Sequence, residues 1–424
     1  MYSDFLDSSF GRLLAYRKRH RRKFDFWWTK PLQNKKSRKA ADDREFQTEL
    51  LKTMKRLGRK GPFTGAVFLE FQYGVESRQS PAIHSLTKHY LDLLMAPVPG
   101  VDAGRSRILL RDDSQVQFLS CSYNASIGED FLRLRVRRLS DFFDDLQLYG
   151  DIVRGWMDDG FELEEQEDQD TSHYRDWNRL QRDQAKWVQH RGKESYQAHE
   201  LHCRREAQRE LLEKRRLPIS SLITLFGPKY HKLRKDPESR TVISNTSQML
   251  RSAYAHPFVS ANFGHRPLQD GDSAVFKNRV QSQLKEIRER FPTPFPLLTP
   301  CGVTILYVPP FQADNKIDLD NLARKAIIPV VHDILRPPAT WATFWKSLLE
   351  ARPGDPIVLE VQERYRKITP VHVVSYEVLC LERLPDDPAN GSVRLLFHDG
   401  DPMISTWSQL DKALDDWKDH VQDR

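Results

Sequence analysis

The spacing of apolar residues predicts an order of helices and strands that occurs twice along the chain. In the first half it predicts, in turn, a helix in AADDREFQTELLKTMKRLG, a strand in GAVFLEFQYG, a helix in AIHSLTKHYLDLLM, and paired strands in RDDSQVQFLSCSYN and DFLRLRVRRL. In the second half it predicts a helix in SAVFKNRVQSQLKEIRERF, a strand in CGVTILYVPP, a helix in IDLDNLARKAIIPVVHDILR, and strands in HVVSYEVLCLER and VRLLFHDG. This common order indicates a long, divergent internal repeat.

The repeat divides the 424 residues into four predicted regions, namely a basic aromatic arm (1–40), a first α/β domain (41–150), a connector (151–247) and a second α/β domain (248–424). The connector opens with acidic residues between Asp158 and Asp170 and continues as a polar stretch to Arg216. This composition predicts a long helix or helical hairpin that bridges the two domains. The predicted fold class is α+β, with two α/β sandwich domains in tandem.

Composition excludes several classes of protein. No run of about 18 apolar residues occurs, so the sequence predicts no membrane span and no membrane partner. The N-terminal segment lacks the charged-then-apolar order of a secretion signal, so we expect a cytoplasmic protein. The four cysteines form no C-x-x-C pair, so neither a structural zinc site nor a disulfide framework is expected.

The distribution of charge points to a polyanionic partner. The net charge is +7, and a basic run that also carries aromatic residues extends from Arg17 to Lys39. Lysine and arginine neutralise phosphates, and aromatic rings stack on exposed bases. We therefore predict nucleic-acid contacts by Arg17, Lys18, Arg19, Arg21, Arg22, Lys23, Trp27, Trp28, Lys35 and Lys36. The alternative is a solvated basic arm whose aromatic residues dock on the domain.

The strongest local signal is the run Asp318-Leu319-Asp320-Asn321 at a predicted helix start, followed one turn later by Arg324-Lys325. Helix capping explains one of the two aspartates. Two carboxylates, an amide and a base one turn later favour a site for Mg²⁺ or Mn²⁺, in which the cations Arg324 and Lys325 stabilise charge on a phosphodiester. Asn321 would orient a ligand or cap the helix.

A second signal, Asp112-Asp113-Ser114-Gln115-Val116, precedes an alternating strand and by itself is typical of a turn. Together the two motifs resemble the RusA family of Holliday-junction resolvases, crossover junction endodeoxyribonucleases with a D-x-D-N-L-x-K helix start and a D-D-x-Q-V strand start. The resemblance covers about 41–140 and about 250–400. It implies two RusA-like domains, and Asp318, Asp320 and Asp113 stand at the ligand positions of the three-acid magnesium site of the family.

The resemblance also implies a function. It predicts a magnesium-dependent, structure-specific endonuclease that acts on branched or duplex DNA in recombination and repair, in the nucleoid of the cytoplasm. The helical connector is compatible with a homodimer or a larger complex. Since a tandem chain with one working site has half the sites of a symmetric dimer, it would nick one strand where the dimer cuts two.

The chain departs from the family pattern because its two motifs lie in different halves. In the first half, Ala82 and His84 stand at the positions of the first-motif acids, while Lys88 keeps the lysine. In the second half, the segment 369–373 (TPVHV) replaces D-D-x-Q-V. Each half therefore keeps one part of the site, with Lys88, Asp112 and Asp113 forming the half-site of the first.

Three interpretations stay open at this point. The second half could work alone, with Asp314, Glu363 or Glu377 as the third acid. The half-sites could form one composite site from Asp113 and the Asp318–Asp320 pair, which the family's dimer with a site in each subunit does not favour. Alternatively, both sites are degenerate and the chain is a non-catalytic DNA-binding or assembly subunit of a larger complex.

Overall fold

The computed structural model describes residues 8–75, 82–124, 129–153, 172–213, 217–226, 237–253, 260–265, 273–290, 301–311, 318–335, 353–356, 373–400 and 405–422, with the single positions 297, 299 and 350. These residues form a mixed α+β fold around one eight-stranded sheet. None of the described helices is long and apolar enough to span a membrane.

The first half contributes four strands. Its elements are α1 (Ser9–His20), β1 (Phe24–Trp28), α2 (Ala40–Arg56), β2 (Val67–Gly74), α3 (Ile83–Leu93), a 3₁₀ turn (Asp113–Gln115), β3 (Val116–Asn124), β4 (Phe131–Arg138) and α4 (Leu139–Val153). The helices of the predicted connector follow as α5 (Ser172–Arg182), α6 (Gln184–Arg191), α7 (Lys193–Glu213), α8 (Ile219–Phe226) and α9 (Pro237–Ala253). Helices α5 and α6 both pack against α7.

The second half contributes the other four strands. Its elements are β5 (Ser260–Asn262), α10 (Ser273–Arg290), β6 (Cys301–Val308), α11 (Leu319–Asn321), a π-helical segment (Leu322–Ile327), α12 (Ile328–Leu335), β7 (Val373–Cys380), β8 (Ser392–Asp399) and α13 (Thr406–Gln422). Helix α11, the π-helical segment and α12 follow one another without a break, as the predicted helix in IDLDNLARKAIIPVVHDILR requires.

The strand order is β1-β4-β2-β3-β7-β6-β8-β5. The succession of parallel and antiparallel pairings along this order is the same from either edge of the sheet. In each half the central strand pairs in parallel with one neighbour and antiparallel with the other: β2 with β3 and β4, and β6 with β7 and β8. The halves meet where β3 pairs antiparallel with β7. The repeat predicted from element order is therefore present as a pseudo-two-fold sheet, shared by both halves.

A β-bulge occurs at the same place in each half. The register shifts between Val67 and Phe68 where β2 pairs with β3, and between Cys301 and Gly302 where β6 pairs with β7. Such a bulge inserts one residue and bends the strand locally. Because the bulges correspond, they align the two halves residue by residue.

Helices cover both faces of the sheet because side chains alternate along each strand. Val67, Leu69 and Phe71 face a core that includes residues of α2, α3, α10, α11 and α12. Phe68 and Phe118 face a second core, built with α1, α4, α8 and α13. We call these the motif face and the terminal face, since the two sequence motifs lie on the first and the chain ends pack on the second.

Two expectations from the sequence are corrected. The prediction that RDDSQVQFLSCSYN and DFLRLRVRRL pair with each other is wrong, because β2 lies between β3 and β4. The predicted arm is not separate from the first half either. Its residues form α1 and the edge strand β1, whose Phe24 and Phe26 are buried against the motif-face core.

Candidate functional site

The antiparallel pairing of β3 with β7 brings the two sequence motifs together. The start of β3 lies beside the end of β7, and β6 runs parallel to β7. The chain leaves β6 toward Asp318, while Asp113 precedes β3, and α11 packs against β3. The two half-sites therefore meet at one edge of the sheet, although they come from opposite halves of the sequence.

The start of α11 shows how the DLDN run folds locally. Asp318 is the N-cap, and its Oδ1 accepts a hydrogen bond of 3.0 Å from the backbone N–H of Asn321. The Asn321 amide also donates to the other oxygen of Asp318 and accepts from Arg324 Nη2 at 2.7 Å. Asp318 thus has the capping role that its position predicts, while Asn321 links it to the basic residue one turn later. Lys325 is exposed.

Asp320 is in a different environment from Asp318. Its residue is 2% exposed, and neither carboxylate oxygen has a hydrogen-bond partner among the described residues. Burial raises the pKa of Asp320 to about 6, partly offset by the cation Lys88. A buried carboxylate without donors costs free energy. Capping does not account for this aspartate, so it is the position most in need of a cation.

The two aspartates of the second motif also separate in role. Asp112 caps the 3₁₀ turn in a capping box with Gln115, whose amide donates to the carbonyl of Gly65 at 2.9 Å. Asp113 instead faces Lys88, with Oδ2 3.7 Å from the ammonium. Burial is the main cause that raises the pKa of Asp113, and the charge of Asp318 raises it further. Asp113 therefore shares one electrostatic environment with the DLDN aspartates.

Lys88 lies at the centre of the acidic group. Its Nζ is 3.1 Å from Asp92 Oδ1, 3.7 Å from Asp113 Oδ2 and 3.7 Å from Asp320 Oδ2. Burial acts to lower the pKa of Lys88, but Asp320 and Asp92 outweigh it and the pKa is raised. We call this group the composite site, consisting of Lys88, Asp92, Asp113, Asp318, Asp320 and Arg324.

Asp92 is a member of the composite site that the sequence motifs did not reveal. It follows Lys88 by four residues on α3, the spacing at which helix side chains meet. Its other oxygen contacts Lys35, which brings the end of the predicted basic arm to the site. The i,i+4 spacing from the retained lysine was the available signal.

The composite site has the chemistry of a hard-cation site but not a complete protein cage. Its donors are carboxylate oxygens, which Mg²⁺ prefers. Among the described residues, no three histidine, cysteine, aspartate or glutamate side chains are grouped as a metal-binding set. The residues present therefore fit an ion held by one or two carboxylates, with water and phosphate as the other ligands.

Of the acids proposed to replace a missing ligand, Glu377 does not reach the second half's aspartates. Glu377 lies on the terminal face, where it accepts hydrogen bonds from the Thr406 backbone N–H at 3.1 Å and the Thr406 hydroxyl at 2.8 Å. Asp314 and Glu363 lie outside the described residues, as do the acidic segment 158–170 and residues 369–372. Within the described chain, the acid that joins Asp320 comes from the first half.

The pseudo-two-fold relation also defines a second position, which we call the replaced site. There Ala82 and His84 occupy the places that Asp318 and Asp320 occupy in the composite site, and Arg324 corresponds to Lys88. Burial, together with Arg324, lowers the pKa of His84 to about 4. The His84 ring centroid lies 6.0 Å from that of His332. None of these described side chains is a carboxylate, so the acids are concentrated in one of the two related sites.

The predicted basic segment divides between the two faces of the sheet. Arg19 pairs with Asp145 at 2.6 Å and Lys23 with Asp411 at 2.6 Å, both on the terminal face. Other predicted nucleic-acid contacts there are exposed, namely Lys18, Arg21 and Arg22, whereas Arg17 is half-buried and donates to Gln422. Lys35 and Lys36 are exposed, and Lys35 contacts the composite site.

The two tryptophans predicted to stack on bases differ in exposure. Trp28 is buried in the motif-face core, so its ring is not exposed for stacking on a base. Trp27 is 54% exposed and has the guanidinium of Arg133 4.9 Å from its ring centroid. Its ring centroid also lies 5.5 Å from that of Phe131, and the exposed part of the ring can stack on a base. Trp27 therefore stays a candidate for base contact.

Comparison with protein-family models, with curated proteins and with solved structures found no match to this chain. The resemblance to RusA-type resolvases therefore rests on the two motifs and on the internal repeat. The geometry adds an independent fact, because the motif residues share one electrostatic environment on the motif face. Residues brought together from both halves of a sequence are the natural starting point for a functional hypothesis.

Proposed function

We propose that this chain is a tandem RusA-like protein that binds branched DNA and cuts one strand through its single composite site. The observation that carries the proposal is the position of Lys88, which contacts Asp113 of its own half and Asp320 of the other at 3.7 Å each. The motifs that the halves retain are thus two parts of one site. The halves differ because the acids of the other, pseudo-symmetric site are replaced.

The proposed cofactor is Mg²⁺ or Mn²⁺, held by Asp320 with Asp318 or Asp113. Asp320 supports it because both of its oxygens are buried without hydrogen-bond donors. When bound, such an ion lowers the pKa of a coordinated water and offsets charge on the phosphate. The carboxylates would hold the ion, and a DNA phosphate with water would supply its other ligands.

The chain's own cations would act on the reacting phosphate. Lys88 and Arg324 approach Asp320 from opposite halves, with Arg324 Nε 3.5 Å and Lys88 Nζ 3.7 Å from Oδ2. A phosphodiester entering beside Asp320 would meet both cations, which stabilise the charge that develops on its oxygens. Asn321 holds Arg324 in this orientation through the hydrogen bond at 2.7 Å.

A second candidate is a catalytically inactive binding subunit. The observation that favours it is again Lys88, since an ammonium ion among three carboxylates already offsets part of their charge without a metal. Asp318 is likewise occupied as a helix cap. On this proposal the same face binds branched DNA or a partner, and the composite site is a structural remnant.

Cleavage of a labelled four-way junction in Mg²⁺ tests the first proposal. We expect the parent protein to nick the junction and Asp320→Asn to lose at least a hundredfold in rate, since one carboxylate ligand is removed. Asp102→Asn is the matched control, because Asp102 is exposed and only accepts a turn hydrogen bond from Gly104 that asparagine can replace. Equal cutting by Asp320→Asn and the parent would exclude Asp320 as the catalytic acid.

Binding to the same junction in EDTA separates the two candidates. Tight metal-free binding that persists without any cleavage when Mg²⁺ is restored would favour the binding subunit. Absence of DNA binding at any salt concentration would argue against both, and would leave a fold used for protein assembly.

A further inference from the structure

A small set of polar side chains lies in the otherwise apolar core of the motif face, on α3 and on the neighbouring strands β2, β3 and β7. Thr87 Oγ1 is 3.3 Å from Cys121 Sγ and accepts a hydrogen bond of 3.2 Å from the Tyr73 hydroxyl. Tyr376 stands opposite Cys121 in the β3–β7 ladder. All four residues are almost fully buried, so their polar atoms are isolated from bulk solvent.

Tyr376 carries a buried hydroxyl whose hydrogen bonding is incomplete. The residue is 0% exposed, and its hydroxyl interacts with Cys121 and Thr87, but among the described residues it makes no hydrogen bond of ordinary geometry. A buried donor of this kind normally finds an acceptor, directly or through one water molecule. The nearby Asp320 carboxylate has the complementary deficit, since both of its oxygens lack donors.

The charge of Asp320 acts on two of these polar groups, Tyr376 and Cys121. Burial raises the pKa of Tyr376 well above its ordinary value, and the charges of Cys121 and Asp320 raise it further. Burial likewise raises the pKa of Cys121, and Asp320 adds to that rise. Helix α11, which contains Asp320, packs directly on β3, the strand of Cys121.

The internal repeat supplies a comparison for each polar residue. The two halves are aligned on their β-bulges and on the correspondence of Lys88 with Arg324. In this alignment Thr87 corresponds to Ala323, Cys121 to Val378 and Tyr376 to Leu119. The three polar positions beneath the composite site are thus apolar beneath the replaced site. Core packing alone accepts either kind of residue, so the polar layer accompanies the retained carboxylates rather than the fold.

We propose that Tyr376, supported by Cys121 and Thr87, is a positioning residue that orients the Asp320 carboxylate through a hydrogen bond carried by one bridging water. This inference deepens the proposed function and rests on it for the purpose of the orientation, which is to hold Asp320 ready for a divalent cation. A second layer of hydrogen bonds around ligand carboxylates commonly changes metal affinity by 10–100-fold. Tyr376 itself touches neither the cation nor the DNA.

The test combines a stability cycle with cation binding on the full chain. Thermal unfolding is measured in EDTA for the parent, Tyr376→Phe, Asp320→Asn and the double variant, so the cycle needs no metal. We expect Tyr376→Phe to lower the Tm of the parent by several degrees and to have little effect in the Asp320→Asn background. Calorimetric titration with Mn²⁺ should show at least tenfold weaker binding to Tyr376→Phe.

Tyr307→Phe is the matched control, because Tyr307 corresponds to Tyr73 on the side of the replaced site and is equally buried. It should leave Mn²⁺ affinity within twofold of the parent. Additive Tm changes in the cycle would overturn the positioning role of Tyr376, whatever the titration shows. The Tm changes could instead be non-additive while the parent protein binds no Mn²⁺. That result would support the positioning role of Tyr376 and exclude the metal-dependent function. Near-ultraviolet circular dichroism confirms that each variant is folded.

Discussion

Lys88 and Asp320 face each other across the boundary between the two halves, with Nζ 3.7 Å from Oδ2. The two residues belong to equivalent helix starts, α3 and α11, which the antiparallel β3–β7 ladder places side by side. The lysine of the first half therefore pairs with an acid of the second half. This contact joins the two sequence motifs, which lie in different halves of the chain.

Replacing the central cation should destabilise the protein in the absence of divalent ions. Lys88→Met keeps the length of the side chain but leaves Asp92, Asp113 and Asp320 without their common counter-ion, at a cost of about 2–4 kcal/mol. Urea unfolding in EDTA measures this free energy. Lys52→Met, which removes an exposed pair with Glu49, should cost less than about 1 kcal/mol.

Divalent ions should then stabilise Lys88→Met more than the parent. With the ammonium gone, Mg²⁺ no longer competes with a fixed positive charge among the carboxylates. We expect the Tm rise caused by 10-fold increments of Mg²⁺ to be larger in the variant. An equal rise in both proteins would show that the ion does not bind at the composite site.

Asp320→Asn should stabilise the metal-free protein at neutral pH. Folding raises the pKa of Asp320 from 3.8 to about 6, so the folded state favours the protonated carboxyl and loses stability as the pH rises through this window. The ionised group therefore costs at most about 3 kcal/mol above pH 6. The amide avoids this cost because it carries no charge.

The stability gain of Asp320→Asn should depend on pH. The stability gain of Asp320→Asn in EDTA should be small near pH 4.5, grow up to about pH 6.5, and stay constant above it. Denaturant midpoints collected along this series provide the measurement. A gain that is independent of pH would mean that Asp320 titrates normally in the folded protein.

The N-terminal basic segment should contribute to stability through the C-terminal helix. Asp411 of α13 accepts hydrogen bonds from Lys23 at 2.6 Å and from the Trp407 indole at 2.7 Å, and its pKa is lowered because Lys23 and Arg137 outweigh the effect of burial. Asp411→Asn leaves Lys23 buried without its counter-ion. We expect a loss of about 2–4 kcal/mol above pH 5, measured by chemical denaturation.

Asp419→Asn is the control for that loss. Asp419 lies on the same helix, but it is exposed, and its ion pair is a weak one with Lys418 at 3.6 Å. Its effect should stay below about 1 kcal/mol. If both variants behaved alike, α13 would not be held against α1 by this contact, and residues 17–23 would again be available as a free basic arm.

DNA binding should depend on the two ends of the basic segment unequally. Lys35 and Lys36 lie on the side of the composite site, whereas Lys18 and Arg21 lie on α1 on the terminal face. Lys35→Gln with Lys36→Gln should lower the slope of log affinity against log salt by about 2, as expected for two lost phosphate contacts. Lys18→Gln with Arg21→Gln should leave it nearly unchanged. The reverse result would place the DNA on the terminal face.

Most of the local structure could be predicted from the sequence. Helices α2, α3 and α10 and strands β2, β6 and β7 follow the periods of their apolar residues, because one side of each element is buried. Helices α4 and α13 were not predicted, although both are amphipathic. Strand β1 was missed because its basic and aromatic neighbours favoured a solvated arm.

The candidate site could be predicted only in part. Asp318, Asp320, Asp112 and Asp113 were identified from motif spacing, and a cap was expected for one aspartate of the first pair. Which aspartate caps was decided by the fold, as Asp318 and Asp112 took this role and left Asp320 and Asp113 to face Lys88. Asp92 and Tyr376 belong to no motif. The i,i+4 spacing from Lys88 is the sequence link of Asp92 to the site, whereas only its position in space connects Tyr376 with it.

The sequence by itself determined the repeat, the identities of the retained acids and the periodic elements that carry them, since these depend on residues close together along the chain. The tertiary structure alone decided that Asp113 and Asp320 share one site. The reason is that strand pairing across the β3–β7 boundary is a long-range choice, made by burial of whole faces rather than by local spacing. One antiparallel ladder thus converts two incomplete motifs into a single group of charges.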